Sequence, residues 1–242
     1  MSLYLDLLKR SLIGWPYLPI ERTLSWPHTG TDEARLNGQD WPLIAHTMLG
    51  MKRLNNIEDL CIRAINDDIP GDFCECGVWR GGATILMAGI VREFAHTPRQ
   101  VYVCDSFAGV PAPSPDYPQD RNMTFHQNND YLGVSAEEVA VAFIRYNLDG
   151  PNISLVEGLF KDTLPGPIGQ LSVLRIDGDL YESAMDVLNA LYDRVSPGGY
   201  VIVDDYGNVP PVREATDDFR RRYGVTTPMT SVDWSAVWWQ KE

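Results

Sequence analysis

The chain has 242 residues, and its 33 acidic and 20 basic side chains give it a net charge of −13. A protein this acidic is repelled by phosphate backbones, which excludes general nucleic-acid binding. The 44% of hydrophobic and 22% of charged residues are typical of a folded globular protein and exclude extensive disorder.

The first ten residues include Asp6 and have amphipathic spacing, so they do not resemble a secretory signal. No apolar run in the sequence reaches the roughly 20 residues that a membrane span needs. We therefore expect a cytoplasmic protein that does not contact membranes. The 4 cysteines show neither a Cys-x-x-Cys pair nor the Cys/His spacing of a zinc site, which predicts small buried residues.

Residues 1–69 are predicted to be mainly helical. Leucines from Leu3 to Leu12 form one apolar face, and apolar residues from Ile44 to Ile57 repeat at helical spacing. The stretch between them is rich in proline, glycine and aromatic residues, which predicts an irregular segment. We expect residues 1–69 to form a helical lid without a core of its own, and residues 70–242 to form the main domain.

From residue 71 onward, short apolar runs alternate with helical stretches. The predicted strands are Asp72–Cys76, Gln100–Asp105, Ile153–Glu157, Val173–Asp177 and Tyr200–Asp204, with helices near 81–95, 136–147, 182–195 and 211–222. This alternation predicts an α/β fold, a doubly wound and mostly parallel sheet. Met229–Asp233 and Ala236–Gln240 are separated by two residues and predict a final antiparallel hairpin, which gives seven strands in all.

Each of the five parallel strands ends in a carboxylate, at the edge where such sheets bind ligands. The first of these ends is followed by a glycine-rich turn that runs from Glu75 and Gly77 through Trp79 and Arg80 to Gly81. Its spacing, G-x-x-x-G-G, differs from the G-x-G-x-x-G of dinucleotide sites and is typical of an S-adenosylmethionine site. The alternative is a tight turn that needs glycine only for packing.

The next two strand ends extend this nucleoside-site pattern. Asp105, followed by Ser106 and Phe107, can accept the ribose hydroxyls of a cofactor, although an Asp that caps a turn would look the same. After the third strand, the run from Gly158 and Leu159 through Phe160 to Asp162 offers an aromatic face and a carboxylate to an adenine ring. The alternative for Phe160 is an ordinary core residue.

The fourth and fifth strand ends bring together Asp177, Asp204 and Asp205. Neighbouring carboxylates repel one another unless a cation lies between them, and hard oxygen ligands favour Mg²⁺ or Ca²⁺ over zinc. The alternative is a set of caps and hydrogen bonds to arginine. Asp179 follows Gly178 and is expected to cap the next helix.

Together these motifs resemble the macrocin O-methyltransferase (TylF) family of S-adenosylmethionine- and Mg²⁺-dependent sugar O-methyltransferases. The similar stretches, which span about residues 3 to 222, are LYLDLLKR, AHTMLGMKRLNN, ECGVWRGGA, CDSFAGVP, GLFKDTLP, LRIDGDLYESAMDVL, VSPGGYVIVDDY and VREA. The resemblance implies a class I, Rossmann-like methyltransferase domain under an N-terminal lid. It also implies a homodimer or a higher homo-oligomer.

The resemblance further assigns roles to residues. Asp177, Asp204 and Asp205 fall on the metal-binding aspartates, with Asp177 also the expected general base. Apart from the resemblance, His126 is the alternative base, and His46 is another, although a lone histidine in a helical run is more often structural. Thr47 and Met48 fall on the lid segment over the cofactor, and the remaining cofactor positions are Glu75, Gly77, Asp105, Ser106 and the Gly158–Phe160 region.

The expected reaction is methyl transfer to a deoxysugar hydroxyl of a glycosylated secondary metabolite, in antibiotic biosynthesis. The cation would acidify and position the hydroxyl, since an alcohol is hardly ionised at neutral pH. A catechol or phenol acceptor is the first alternative. A nicotinamide-dependent oxidoreductase would need G-x-G-x-x-G and Tyr-x-x-x-Lys motifs that the sequence lacks, and a non-catalytic binding protein would not need the three aspartates.

Overall fold

The computed structural model describes residues 2–24 and 27–242. In this part of the chain the strands are β1 (Asp72–Cys76), β2 (Val101–Asp105), β3 (Ile153–Glu157), β4 (Leu171–Ile176), β5 (Val195–Val203), β6 (Thr230–Ser231) and β7 (Val237–Gln240). The helices are α1 (Leu3–Leu12), α2 (Leu18–Thr23), α3 (Asp32–Asn37), α4 (Met51–Asn66), α5 (Gly82–Phe94), α6 (Asn129–Leu132), α7 (Ala136–Arg145), α8 (Phe160–Thr163), α9 (Tyr181–Leu191) and α10 (Pro210–Tyr223).

The strands form one seven-stranded sheet in the order β3-β2-β1-β4-β5-β7-β6. β1 to β5 are parallel, while β7 is antiparallel to both β5 and β6. The predicted doubly wound α/β sheet and the terminal hairpin are therefore confirmed. Because the strand order reverses at β1, the carboxyl ends of β1, β2, β4 and β5 surround one crevice.

Both faces of the sheet are covered by helices, so the central strands are apolar on both sides. On β1, Phe73 faces the core that contains α1, α4 and α5, whereas Cys74 and Cys76 face the core that contains α9 and α10. The four cysteines are free and buried, as the sequence predicted.

Helices α1 and α4 belong to the main core, although they precede β1. Leu5, Leu12 and Leu54 are fully buried there, and Leu8 packs so closely on α5 that a Cβ at Gly89 would lie 2.8 Å from its Cδ2. The predicted helical repeat from Ile44 is wrong over its first turn. α4 begins only at Met51, and residues 44–50 before it are irregular.

We call the described residues between α1 and α4 the covering segment. A buried ion-pair network holds this segment together. Arg35 donates to Glu21 at 2.7 Å and to Asp40 at 2.9 Å, and it also donates to the Ile13 carbonyl at 3.0 Å. All three charged side chains are nearly inaccessible to solvent. These polar contacts therefore fix the position of the covering segment.

In the described part of the chain, none of the helices combines the length and apolar character needed to cross a membrane.

Candidate active site

A cavity of about 570 Å³ opens at the carboxyl edge of the sheet. It is lined by Gly77, Trp79, Asp105 and Ser106, from the turns after β1 and β2. Gln39, Asp40 and Trp41, which lie between α1 and α4, also line it, together with Asn208 and Trp234. Asp177, Asp179 and Asp205 lie along the same cavity.

Asp105 organises the glycine-rich turn. One carboxylate oxygen accepts the backbone N–H of Val78 at 2.7 Å and of Trp79 at 3.3 Å, and the other accepts the N–H of Phe107 at 2.9 Å. Burial raises the pKa of Asp105, and these backbone N–H donors counteract the rise. The sequence predicted Asp105 as a ligand of the cofactor. In the structure, its carboxylate binds the backbone of the glycine-rich turn.

Gly77 is required by the close approach of two strand ends. Its φ is +92°, and a Cβ there would lie 1.7 Å from the carbonyl oxygen of Asp177. The glycine therefore lets the cofactor turn and the acidic strand end touch, which places both on the same cavity.

An aromatic and cationic stack ties the covering segment to the cofactor turn. The Arg80 guanidinium lies 4.2 Å from the ring centre of Trp79 and donates to the carbonyls of Leu43 and Ala45. Trp41 stacks on Tyr131 at 5.3 Å with nearly parallel rings. Arg80 therefore contacts the covering segment and does not line the cavity. The sequence motif did not predict this.

Three carboxylates meet at the ends of β4 and β5. Each of Asp177, Asp179 and Asp205 offers an oxygen that lies within 4.8 Å of the other two. Burial and the charge of Asp177 raise the pKa of Asp205 to about 7, and burial together with Asp205 raises the pKa of Asp179. A site that disfavours its own negative charge is suited to a positively charged ligand.

The expectation that Asp179 caps the helix after β4 is wrong. That helix, α9, is capped instead by Asp120, whose carboxylate accepts the N–H groups of Tyr181 at 2.7 Å and Glu182 at 3.0 Å. Asp179 has a left-handed φ of 60° and points its carboxylate at the cluster. Asp120 lies 61 positions before its partner, so local sequence rules could not find it.

Asp204 lies beside the cluster and is bonded to arginine. It accepts from Arg53 at 2.9 Å and from Ser235 at 2.7 Å, and its other oxygen accepts from Arg175. These cations lower the pKa of Asp204, against the effect of its burial. As a metal ligand Asp204 remains a prediction, since coordination would have to compete with these contacts.

The local charge balance remains negative after all ion pairs are formed. The side chains of Glu75, Asp177, Asp179, Asp204, Asp205 and Asp233 would carry six negative charges when ionised, and Arg53 and Arg175 carry two positive charges. Burial raises the pKa of Glu75 to about 8, which relieves part of this excess by protonation. A bound cation would relieve more of it.

The predicted site residues divide into those that line the cavity and those that support it. The lining set is Met48, Gly77, Trp79, Asp105, Ser106, Gly158, Leu159, Phe160, Asp177 and Asp205. The remaining predicted positions, Thr47, Glu75, Arg80, Gly81, Phe107, His126, Asp162 and Asp204, lie outside that lining. Neighbouring Phe125 reaches the cavity, but His126 does not.

The lining side chains that the sequence analysis missed include Arg53 and Trp234. Arg53 is 7% exposed in a helix whose pattern otherwise looks ordinary, and Trp234 sits in the predicted hairpin turn. The only signals available were a charged residue beside buried Leu54 and a tryptophan in a turn, and neither identifies a ligand site.

Two features define the class I methyltransferase fold. One is the sheet order with its antiparallel last strand, β7, and the other is the glycine-rich turn whose backbone N–H groups donate to Asp105. The chain matches the profile of the macrocin-O-methyltransferase (TylF) family over residues 1–241 and belongs to that family. It is an S-adenosylmethionine-dependent O-methyltransferase.

Relatives of known activity support this assignment over the whole chain. The demethyldecarbamoylnovobiocin O-methyltransferase of Streptomyces niveus is 46% identical, covering 99% of this chain and 94% of that protein. The 8-demethyl-8-(2,3-dimethoxy-alpha-L-rhamnosyl)-tetracenomycin-C 4'-O-methyltransferase of Streptomyces olivaceus is 44% identical, with 99% and 92% covered. The structure of the O-methyltransferase NovP superimposes with a TM-score of 0.93 at 47% identity, covering 99% of this chain and 98% of that one.

Proposed function

We propose that this enzyme methylates a hydroxyl of a deoxysugar that is already attached to a secondary metabolite, with a bound divalent cation. The observation that carries the proposal is the joint lining of one cavity by a methyl-donor turn and a carboxylate cluster. The rhamnosyl group in the name of the Streptomyces olivaceus relative, and its place on a tetracenomycin, support a sugar acceptor on an antibiotic.

The methyl donor would lie against the turns after β1 and β2. Gly77 and Asp105 line the cavity there, and Phe160 offers an aromatic face to the same cavity. Met48 of the covering segment lines the same space. A positively charged sulfonium is favoured here because the neighbouring carboxylates are in excess over arginine.

Asp177 and Asp205 would hold the cation. Both belong to the cluster, and their carboxylates are the hard ligands that Mg²⁺ prefers. When bound, the cation would lower the pKa of the acceptor hydroxyl and help to fix its position.

We propose Asp179 as the general base, in place of Asp177. Asp177 is paired with Arg175 at 2.9 Å, which weakens it as a proton acceptor. Within residues 2–24 and 27–242, Asp179 has no Lys, Arg or His nitrogen within 4.0 Å. It also lines the cavity, whereas His126 does not.

Charge favours a neutral glycoside over a nucleotide-linked sugar. Among the described residues that line the cavity, the cationic side chains are Arg53 and Lys161, and each is already paired with a carboxylate. A pyrophosphate would find no unpaired cationic side chain among these described lining residues. We infer that a glycosyl-transfer reaction precedes this methylation.

The test is methyl transfer from labelled S-adenosylmethionine with Mg²⁺, followed by mass spectrometry. Three acceptors are compared: a deoxysugar glycoside with a neutral aglycone, the matching nucleoside diphosphate sugar, and a catechol. We expect methylation of the glycoside. Preference for the nucleotide sugar would overturn the order of reactions, and preference for the catechol would replace the sugar by a phenolic acceptor.

We also propose that the protein is a homodimer or a higher homo-oligomer. Leu3 is 85% exposed and Leu7 is 64% exposed on one side of α1, and Tyr4 beside them is partly exposed. Association of two copies would cover this apolar face. Sedimentation of the wild type should give at least twice the monomer mass, and Leu7→Glu should shift it toward 27.2 kDa; a monomeric wild type would refute this.

A further inference from the structure

A single buried arginine connects three segments around the acceptor side of the cavity. Arg53 lies in the first turn of α4 and is 7% exposed. It donates to the Gly38 carbonyl at 2.9 Å and to Asp204 at 2.9 Å, and it pairs with Asp233 at 3.1 Å. Its guanidinium also lies 5.3 Å from the ring centre of Trp234.

We propose that Arg53 is a positioning residue for the acceptor, which acts by holding the acceptor wall. The acceptor wall is defined here as the loop Gly38–Trp41 together with Trp234, all of which line the cavity. This inference rests on the proposed function, because it assigns the acceptor to the part of the cavity that the loop Gly38–Trp41 and Trp234 line.

The two parts of the acceptor wall come from opposite ends of the chain and are joined through Asn37, the residue that precedes Gly38. The Trp234 indole N–H donates to the Asn37 carbonyl at 2.9 Å, 197 positions away. Beneath this contact the guanidinium is tightly enclosed, since a Cβ at Gly38 would lie 2.3 Å from Nη2 of Arg53. The arginine therefore fixes the distance between the two parts.

The same guanidinium reaches the acidic cluster through Asp204. The oxygen of Asp204 that accepts from Arg53 also accepts the backbone N–H of Asp205 at 2.9 Å and the Ser235 hydroxyl at 2.7 Å. Asp205 has a left-handed φ of 63°, so this hydrogen bond helps to hold an unfavourable backbone conformation. The acceptor wall and one of the proposed cation ligands thus share a support.

Lysine cannot replace this arrangement. The planar guanidinium directs separate N–H groups toward Gly38 and Asp204, its Nε lies 3.1 Å from the Asp233 carboxylate, and its face covers Trp234. An ammonium is a single point donor and would release at least one partner. Arg53→Lys therefore removes contacts but keeps the buried positive charge.

Arg99 provides a matched control at the opposite edge of the sheet. It is also 7% exposed, donates to the Ile69 carbonyl at 2.8 Å and to Ser172 at 2.9 Å, and lies 5.7 Å from the ring centre of Phe73. It does not line the cavity. Arg99→Lys thus reports what the loss of a buried arginine does to folding alone.

The first measurement is hydrogen exchange of the full chain with S-adenosylhomocysteine bound, which needs no acceptor. In Arg53→Lys we expect amides of residues 37–41 and 232–237 to exchange about tenfold faster, and those of 76–82 to change by less than about twofold. Arg99→Lys should leave the acceptor wall unchanged. Trp234→Phe, which loses the bond to Asn37 but keeps an aromatic ring beside Arg53, is a milder second variant and should give a smaller change in the same segments.

The second measurement uses the glycoside acceptor that the wild type methylates. Arg53→Lys should raise the KM for the glycoside about tenfold while the KM for S-adenosylmethionine stays within about twofold, and Arg99→Lys should change neither. Equal changes in both KM values, or uniformly faster exchange, would reduce Arg53 to a folding role and overturn the inference. If no glycoside is methylated, the proposed function fails, while the exchange experiment still decides whether Arg53 holds the acceptor wall.

Discussion

Removal of the Asp205 charge should stabilise the cation-free protein at neutral pH. In the folded protein, burial and the neighbouring Asp177 and Asp204 raise the pKa of Asp205 from 3.8 to about 7. Between these two pH values the folded state keeps a proton that the unfolded state has lost. The free energy of unfolding must therefore fall as the pH rises through this interval.

The size of the effect follows from the same interval. A pKa difference from 3.8 to about 7 corresponds to about 4 kcal/mol. The part of this interval above pH 5 corresponds to about 3 kcal/mol, and solvent in the open cavity screens the half-buried carboxylate, so we expect about 2 kcal/mol from Asp205 between pH 5 and pH 8. In a chain of this size, 1 kcal/mol changes the Tm by about 2–4 °C, which makes the expected shift measurable.

The assay is thermal and urea unfolding in EDTA between pH 5 and pH 8, for the wild type and Asp205→Asn. The wild type should lose more stability with rising pH than the variant, by about 2 kcal/mol. His46 has a lowered pKa, because it is buried, and it acts in the opposite direction below pH 6.5 in both proteins. The difference between the two proteins therefore reports Asp205 together with its effect on the pKa of Asp179.

Magnesium provides the second half of this experiment. A cation between the carboxylates should restore the wild-type stability at pH 8, because it binds the folded state preferentially. Asp205→Asn should gain much less from Mg²⁺. If both proteins lose the same stability between pH 5 and pH 8, or if Mg²⁺ stabilises both equally, then the reasoning about the acidic cluster is refuted.

Three further outcomes are expected. Asp105→Ala should weaken S-adenosylhomocysteine binding by at least about 1.5 kcal/mol in calorimetry, the value of one charged hydrogen bond, and an unchanged affinity would contradict its role. Asp179→Asn should lower kcat by about 100-fold or more at saturating Mg²⁺ while Mg²⁺ binding persists, and full activity would move the base to Asp177 or His126. Residues 41–51 should gain protection from hydrogen exchange when S-adenosylhomocysteine and acceptor are both bound; equal exchange with and without ligands would exclude a closing lid.

The sequence predicted only some of the carboxylates that meet at the ends of β4 and β5. Asp177 and Asp205 could be predicted because both end adjacent parallel strands, and strand ends of neighbours must lie together. Asp179 could not be assigned to the cluster from the sequence, because the second Asp of a D-x-D turn can equally well cap the next helix. The structure shows that Asp120 caps that helix.

Strand and helix periodicity and the glycine spacing are local properties, so the parallel sheet, the glycine-rich turn and the family could be predicted from them. Long-range packing determines which acidic groups remain free of arginine and what forms the acceptor wall. Arg53 meets Asp204 across 151 positions, and Trp234 meets Asn37 across 197. Such contacts depend on how distant segments pack, and no local pattern encodes the geometry of that packing.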